Sequence, residues 1–193
     1  MLPSTVARKT RPAAPTGGAY VALLRGINVG GKNRIPMKDL ASALESAGLR
    51  DVSTYIQSGN VVFRADGPRA EEKELRARIE RQIAQAFRLR VPVVLRSAAE
   101  LATVAGSRPF GAAEGVHVGF LADSPAAEAV AGLDPERSPP DRFVVLGRDV
   151  FLLLPNGVAR SRLTTAYFDT QLGTTMTVRN TRTVMALLEM IRG

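Results

Sequence analysis

The chain has 193 residues, enough for one sizeable domain or two small packed units. Hydrophobic residues make up 45% of it with no long apolar run, so no membrane span is expected, and the lack of cysteine excludes disulfides, thiolate metal sites and a cysteine nucleophile. The formal charge is +8; Arg8, Lys9 and Arg11 lie in a tail without acids, and the other 23 basic and 18 acidic residues leave a surplus of +5, which suits an acidic ligand, nucleic acid or plain solubility.

Residues 1–18 hold Pro3, Pro12, Pro15, Gly17 and Gly18 among small and basic residues and read as a flexible basic leader. It lacks the apolar centre of a secretory signal, so the expected location is the cytoplasm. Tyr20 to Leu24 is then an apolar, partly β-branched run of strand length, and Gly26, Gly30 and Gly31 break the pattern after it. This loop carries Arg25, Asn28, Lys32, Asn33 and Arg34, and Pro36 is pre-set for a first helical turn. A strand, a glycine loop with a lysine and a helix together suit an anion, because aligned amides and a helix N-terminus both present positive potential. Gly26 to Lys32 reads G-x-x-x-x-G-K, yet Asn33 stands where a nucleotide-binding P-loop needs a magnesium-binding Ser or Thr. A helix near Pro36 also starts too late for its dipole to meet the phosphates. The same glycines equally serve a tight turn with Lys32 solvated.

Met37, Leu40, Ala41, Leu44 and Ala47 recur at helical spacing up to a stop at Gly48. Asp51 to Gln57, a turn at Ser58-Gly59-Asn60 and Val61-Val62-Phe63 form a hairpin. Pro68 to Phe87 is a long helix with Leu75, Ile79, Ile83, Ala86 and Phe87 inward, and Glu72 with Arg76 and Glu74 with Arg78 pair on a solvated face. Pro92 to Leu95 is a short strand, and Ser97 with Glu100 opens a connecting helix to Ala105 through a capping box. Val116 to Leu121 is a strand holding the lone histidine, His117, whose expected role is structural. Asp123 imitates a Walker-B acid but is expected to cap a short helix from Pro125 to Ala131. Phe143 to Leu146 and Val150 to Leu154 form a second hairpin, Ser161 to Leu172 a helix stopped by Gly173, Thr174 to Val178 a strand, and Val184, Leu187, Leu188 and Ile191 the inner face of a last helix.

The order β-α-β-β-α-β therefore occurs twice. It predicts an α+β fold of two ferredoxin-like (βαββαβ) units packed as a duplicated architecture, plus a C-terminal helix. The divisions are the leader 1–18, a first unit 19–96, a connecting helix and loop 97–115, and a second unit 116–193. In such a unit the first strand and the hairpin between the second and third finish at one end of the sheet, which brings Gly30, Gly31, Lys32 and Asn33 toward Ser58, Gly59 and Asn60. In the second unit Asn156, Gly157, Arg160 and Ser161 share an end with Arg179 and Asn180. Arg160 and Arg179 suit forked bonds to carboxylate or phosphate, with capping and loop pairing as the ordinary alternative.

With LLRGINVGGKNRIPM, YIQSGNVVF, LLLPNGVARSRLT and TVRNTRTV in view, the chain resembles the uncharacterised bacterial family called domain of unknown function 1697, from about Tyr20 to Ile191. The resemblance implies a two-unit α/β protein of repeated ferredoxin-like topology and names no reaction, ligand or cofactor. Where that family usually has a tryptophan after the closing Arg-Asn pair, this chain has Thr181. Three functions stay open: a binding protein for a phosphate-bearing or other anionic small molecule at the Gly30–Lys32 loop, an RNA- or DNA-binding module, and a structural protein whose strand edges pair between subunits. Aromatics are only 5% and the strands lack an aromatic nucleic-acid platform. No spacing singles out a catalytic acid, base or nucleophile.

Overall fold

The computed structural model describes residues 17–66 and 72–193; the expected leader, apart from Gly17 and Gly18, and the expected start of the long helix at Pro68 lie outside them. The first sheet is built from β1 (Gly18–Leu24), β2 (Arg50–Tyr55), β3 (Asn60–Ala65) and β4 (Val93–Ser97), with α1 (Met37–Ser46), α2 (Glu72–Phe87) and α3 (Ala98–Gly106). The second is built from β5 (Val116–Leu121), β6 (Arg142–Leu146), β7 (Asp149–Leu153) and β8 (Met176–Asn180), with α4 (Ala127–Ala131), α5 (Thr165–Leu172) and α6 (Thr181–Arg192). Both sheets are antiparallel, ordered β2-β3-β1-β4 and β6-β7-β5-β8.

The unbroken apolar run Tyr20 to Leu24 makes sense in this setting, because β1 is central and covered on both faces. Alternate side chains serve different cores. Tyr20, Ala22 and Leu24 join Leu40, Leu44, Ile79 and Ile83 of α1 and α2, while Val21 and Leu23 turn the other way. That second core is shared by the whole molecule. It combines Val21, Leu23, Val62 and Val94 of the first sheet, Val118, Phe120 and Phe151 of the second, Leu101 and Val104 of α3, and Val184, Leu187 and Ile191 of α6. A third core joins Leu121, Val150, Leu152 and Met176 to Phe168 and Leu172 of α5. The expected connecting helix is thus α3, a core element that packs against α6 between the sheets.

Several local expectations change. α5 begins at Thr165 instead of Ser161, since the Thr164 hydroxyl accepts the Tyr167 amide at 3.2 Å and Val158–Arg160 forms a separate 3-10 turn. β8 begins at Met176 instead of Thr174: the Thr174 hydroxyl accepts the Asp123 amide, and Asp169 accepts the Met176 amide at 2.7 Å. Asp123 does not cap α4, whose N-cap is Ala126; its carboxylate accepts from Arg76 at 3.3 Å. The pairs expected along α2 are replaced by longer reaches. Glu72 accepts both nitrogens of Arg148, Arg76 turns to Asp123, and Arg78 Nε is buried without an acceptor among the described residues. The capping box at Ser97 and Glu100 is present as expected.

Candidate functional site

The loop from Arg25 to Pro36 leaves the buried end of β1 and folds on itself. Gly26, Asn28, Gly30, Gly31 and Asn33 all take left-handed backbone angles, which bends residues 28–33 into a hairpin closed by the Lys32 amide donating to Val29 O at 3.1 Å. Asn28 sets its base. Its side-chain amide donates to Ile35 O and Gln57 O, both at 2.9 Å, and its Oδ1 accepts the Ile35 amide at 2.8 Å. Asn33 Nδ2 closes the turn on Gly26 O at 3.0 Å. The amides of Gly30, Gly31 and Asn33 meet no acceptor among the described residues.

Behind this hairpin lies a groove of about 650 Å³ lined by Asn28, Gly31, Arg34, Ile35, Pro36, Met37, Lys38 and Gln57. Arg34 and Lys38 are exposed in its lining, Lys32 is exposed on the hairpin beside Gly31, and no carboxylate pairs with any of them among the described residues. α1 opens onto the groove with Pro36 as N-cap and no side chain capping its first amides. Next to the lining residue Gln57, Ile56 is 55% exposed and holds φ at 48°, a strained value for a β-branched residue. Lys38 and Gln57 were not among the ligand residues expected from sequence, and Arg34 was read there only as a basic residue of the loop. Their signal was present, since Arg34 shares the glycine loop and Lys38 falls in the first turn after Pro36.

The other expected residues divide sharply. Asn60 is fully buried, donating to Tyr55 O at 3.2 Å and Ser58 Oγ at 2.9 Å, and Gly59 O accepts the Leu24 amide at 2.8 Å. Arg179 reaches over from β8 to this corner. Its Nε donates to Asn60 Oδ1 at 2.5 Å and its Nη2 to Leu24 O, Ser58 O and Gly59 O, while Nη1 serves Thr177 Oγ1 and Val178 O. Burial lowers its pKa to about 10. A guanidinium this committed ties sheet to sheet and has no donor left for a ligand.

A family model for proteins described as "Protein of unknown function (DUF1697)" matches residues 18–151. The chain belongs to that family. No curated protein matches it. Among solved structures it is similar to the conserved bacterial protein SP0830 from Streptococcus pneumoniae, at 20% identity and a TM-score of 0.72, covering 92% of this chain and 99% of that one. The likeness is one of fold.

The DUF1697 match takes in the whole groove and ends before the second expected cluster. There Asn156, Gly157 and Arg160 are exposed, and the Ser161 hydroxyl accepts the Leu163 amide. Asn180 caps α6 by accepting the Thr183 amide at 2.8 Å. No hydrogen bond or ion pair among the described residues joins residues 156–161 to the 28–33 hairpin. Arg25 is occupied as well, pairing with Asp169 and donating to Thr165 Oγ1 at 3.3 Å. A buried arginine that sequence reasoning missed is Arg96, which donates to Leu121 O, Arg148 O and Asp149. Its signal is the parallel between Leu95-Arg96-Ser97 and Val178-Arg179-Asn180, an arginine placed just before a helix cap in both halves. Burial pushes Arg96 down and Asp149 up, each toward neutrality, and their contact opposes both shifts. No helix among the described residues is long and apolar enough to cross a membrane.

Proposed function

We propose that this protein binds an anionic small molecule, phosphate-bearing or carboxylic, in the groove at the start of α1. The observation that carries this is the pair Arg34 and Lys38 in the lining of one concavity, with Lys32 exposed on the hairpin beside Gly31, all three without a carboxylate partner among the described residues. Free amides at Gly30, Gly31 and Asn33 and the uncapped first turn of α1 add donors on the same side. Of the residues expected from sequence, Asn28 and Gly31 line the groove and Gly30, Lys32 and Asn33 form its hairpin, whereas Ser58, Gly59 and Asn60 are bonded to Arg179 and stand outside the lining. The scaffold reads as two duplicated ferredoxin-like units, residues 19–96 and 116–193, bridged by 97–115. Their identical strand order and their matching arginines at 96 and 179 support that division.

The test is thermal stabilisation of the parent and of a Lys32→Ala/Arg34→Ala/Lys38→Ala variant against inorganic phosphate, sugar phosphates, nucleotides and short RNA. A ligand at a hundred times its Kd stabilises by about 2.7 kcal/mol. The expected result is a saturating shift with inorganic phosphate, a sugar phosphate or a nucleotide that the variant loses. No shift with any small anion, or equal shifts in both proteins, would overturn the proposal. A response to RNA alone that collapses with added salt would favour nucleic-acid binding instead, and a concentration-dependent dimer lost in the variant would favour self-association.

A further inference from the structure

An apolar concavity whose lining shares no residue with the groove at α1 lies between the end of α3, the start of α6 and the segment 107–113. It has a volume of about 360 Å³, within the range of small-ligand sites, and Val104, Phe110, Val118, Phe151 and Val184 form its walls. Such walls offer water few hydrogen-bond partners, so filling the space with an apolar group is favourable. Met185, also in the lining, is 41% exposed.

The lining has one sign of charge. It includes Arg108 and Arg182 and contains no Asp or Glu. Arg108 is braced by its Nη1, which donates to Ala105 O at 2.5 Å and Ser107 O at 2.8 Å, and its other nitrogens meet no acceptor among the described residues. Arg182 is exposed and has no partner among them. It sits in the first turn of the twelve-residue α6, where the helix dipole also favours an anion. The segment 107–113 is lightly held. Gly111 donates to Arg108 O and Ala113 to Phe110 O within the segment itself, and the Phe110 ring lies 5.3 Å from the Arg142 guanidinium carbon.

The geometry points to a second ligand site, separate from the groove at α1, for a small amphiphilic carboxylate. Its hydrocarbon tail packs between α3, α6 and Phe110, and its carboxylate lies at the rim between Arg108 and Arg182. Charge complementarity selects this occupant over a neutral apolar molecule, and the apolar walls select it over a bare anion.

The experiment is isothermal titration calorimetry of the full chain with octanoate, 1-octanol and inorganic phosphate. Octanoate is expected to bind at one site that phosphate does not compete for. Arg182→Glu should weaken octanoate about tenfold while leaving octanol unchanged. Thr181→Trp, at an exposed position in the lining, should block both. The Lys32→Ala/Arg34→Ala/Lys38→Ala variant should bind octanoate like the parent, so failure at either site is distinguishable from failure at the other. The assignment is overturned if octanoate gives no heat at millimolar concentration, or if Arg182→Glu and Thr181→Trp both bind it as the parent does. It is equally overturned by a dimer that Thr181→Trp dissolves and octanoate does not, since a second copy would then be the occupant.

Discussion

Arg179 stands in the second sheet where Arg96 stands in the first, and each reaches into the other sheet. Arg96 lies opposite Val21 of β1 and Arg179 opposite Val118 of β5. Arg96 donates to Leu121 O, three residues beyond Val118, and Arg179 to Leu24 O, three residues beyond Val21. Asp149 and Asn60, the first residues of β7 and β3, accept from the Nε of Arg96 and Arg179 respectively. The two arginines form a reciprocal pair of clamps, one with a counter-charge and one with dipoles alone.

That asymmetry predicts unequal costs. Arg179→Met leaves carbonyls and an amide unsatisfied and should destabilise by about 3 kcal/mol, whereas Arg96→Met strands the partly buried carboxylate of Asp149 and should cost about 4 kcal/mol. Urea titration at constant m-value measures both. The Arg96→Met deficit should also shrink as pH falls and Asp149 takes up a proton, while the Arg179→Met deficit should not. Equal costs with the same pH dependence would contradict the difference in partners.

Arg148 is a three-way node. It grips Glu72 of α2 with two nitrogens, at 2.7 and 3.1 Å, and Glu100 of α3 at 2.9 Å, all with side chains under one-fifth exposed. A double-mutant cycle of Arg148→Met with Glu72→Gln should return a coupling of about 1 to 2 kcal/mol, well above that of an exposed pair. A coupling near zero would mean that the contact adds nothing.

Glu100 makes stability depend on acid. Burial raises its pKa, but the Ser97 amide and hydroxyl and the Arg148 guanidinium outweigh that and lower it from an ordinary 4.5 to about 2. The folded form therefore holds fewer protons than the unfolded chain between these values. The contribution is complete above pH 4.5 and is lost as pH falls toward 2. The gap in melting temperature between the parent and Glu100→Gln should be constant at neutral pH and close through that window.

Gly59 is constrained twice over. Its φ is 74°, and a Cβ there would lie 2.8 Å from Leu24 Cβ and 3.0 Å from Ile27 Cδ1. Gly59→Ala should cost about 3 kcal/mol from strain and overpacking together. Gly30, with φ of 57°, faces open space, so Gly30→Ala should cost only about 1 kcal/mol. Chemical denaturation of the two variants separates the terms, and equal losses would refute the close approach at Gly59.

The sequence by itself determined the order of elements and much of the candidate site. An apolar, partly β-branched run marked β1 as a strand, helical spacing marked α1, α2 and α6, and Ser97 with Glu100 marked the start of α3, because these signals depend on neighbours a few residues away. The glycine loop after β1 was legible for the same reason, while its closure into a hairpin over 28–33 came from the structure. Only the tertiary structure decided which cations are available. Arg179 resembled a ligand donor until Leu24 O, Gly59 O and Asn60 surrounded it, and Arg76 left Glu72 for Asp123 across the molecule. An exposed pair four residues apart on a helix is worth about 0.3 kcal/mol, so partly buried, multiply bonded partners from a distant strand override it. Periodicity records which face of an element is apolar; it does not record which carbonyl will meet a given guanidinium once two sheets close over a common core.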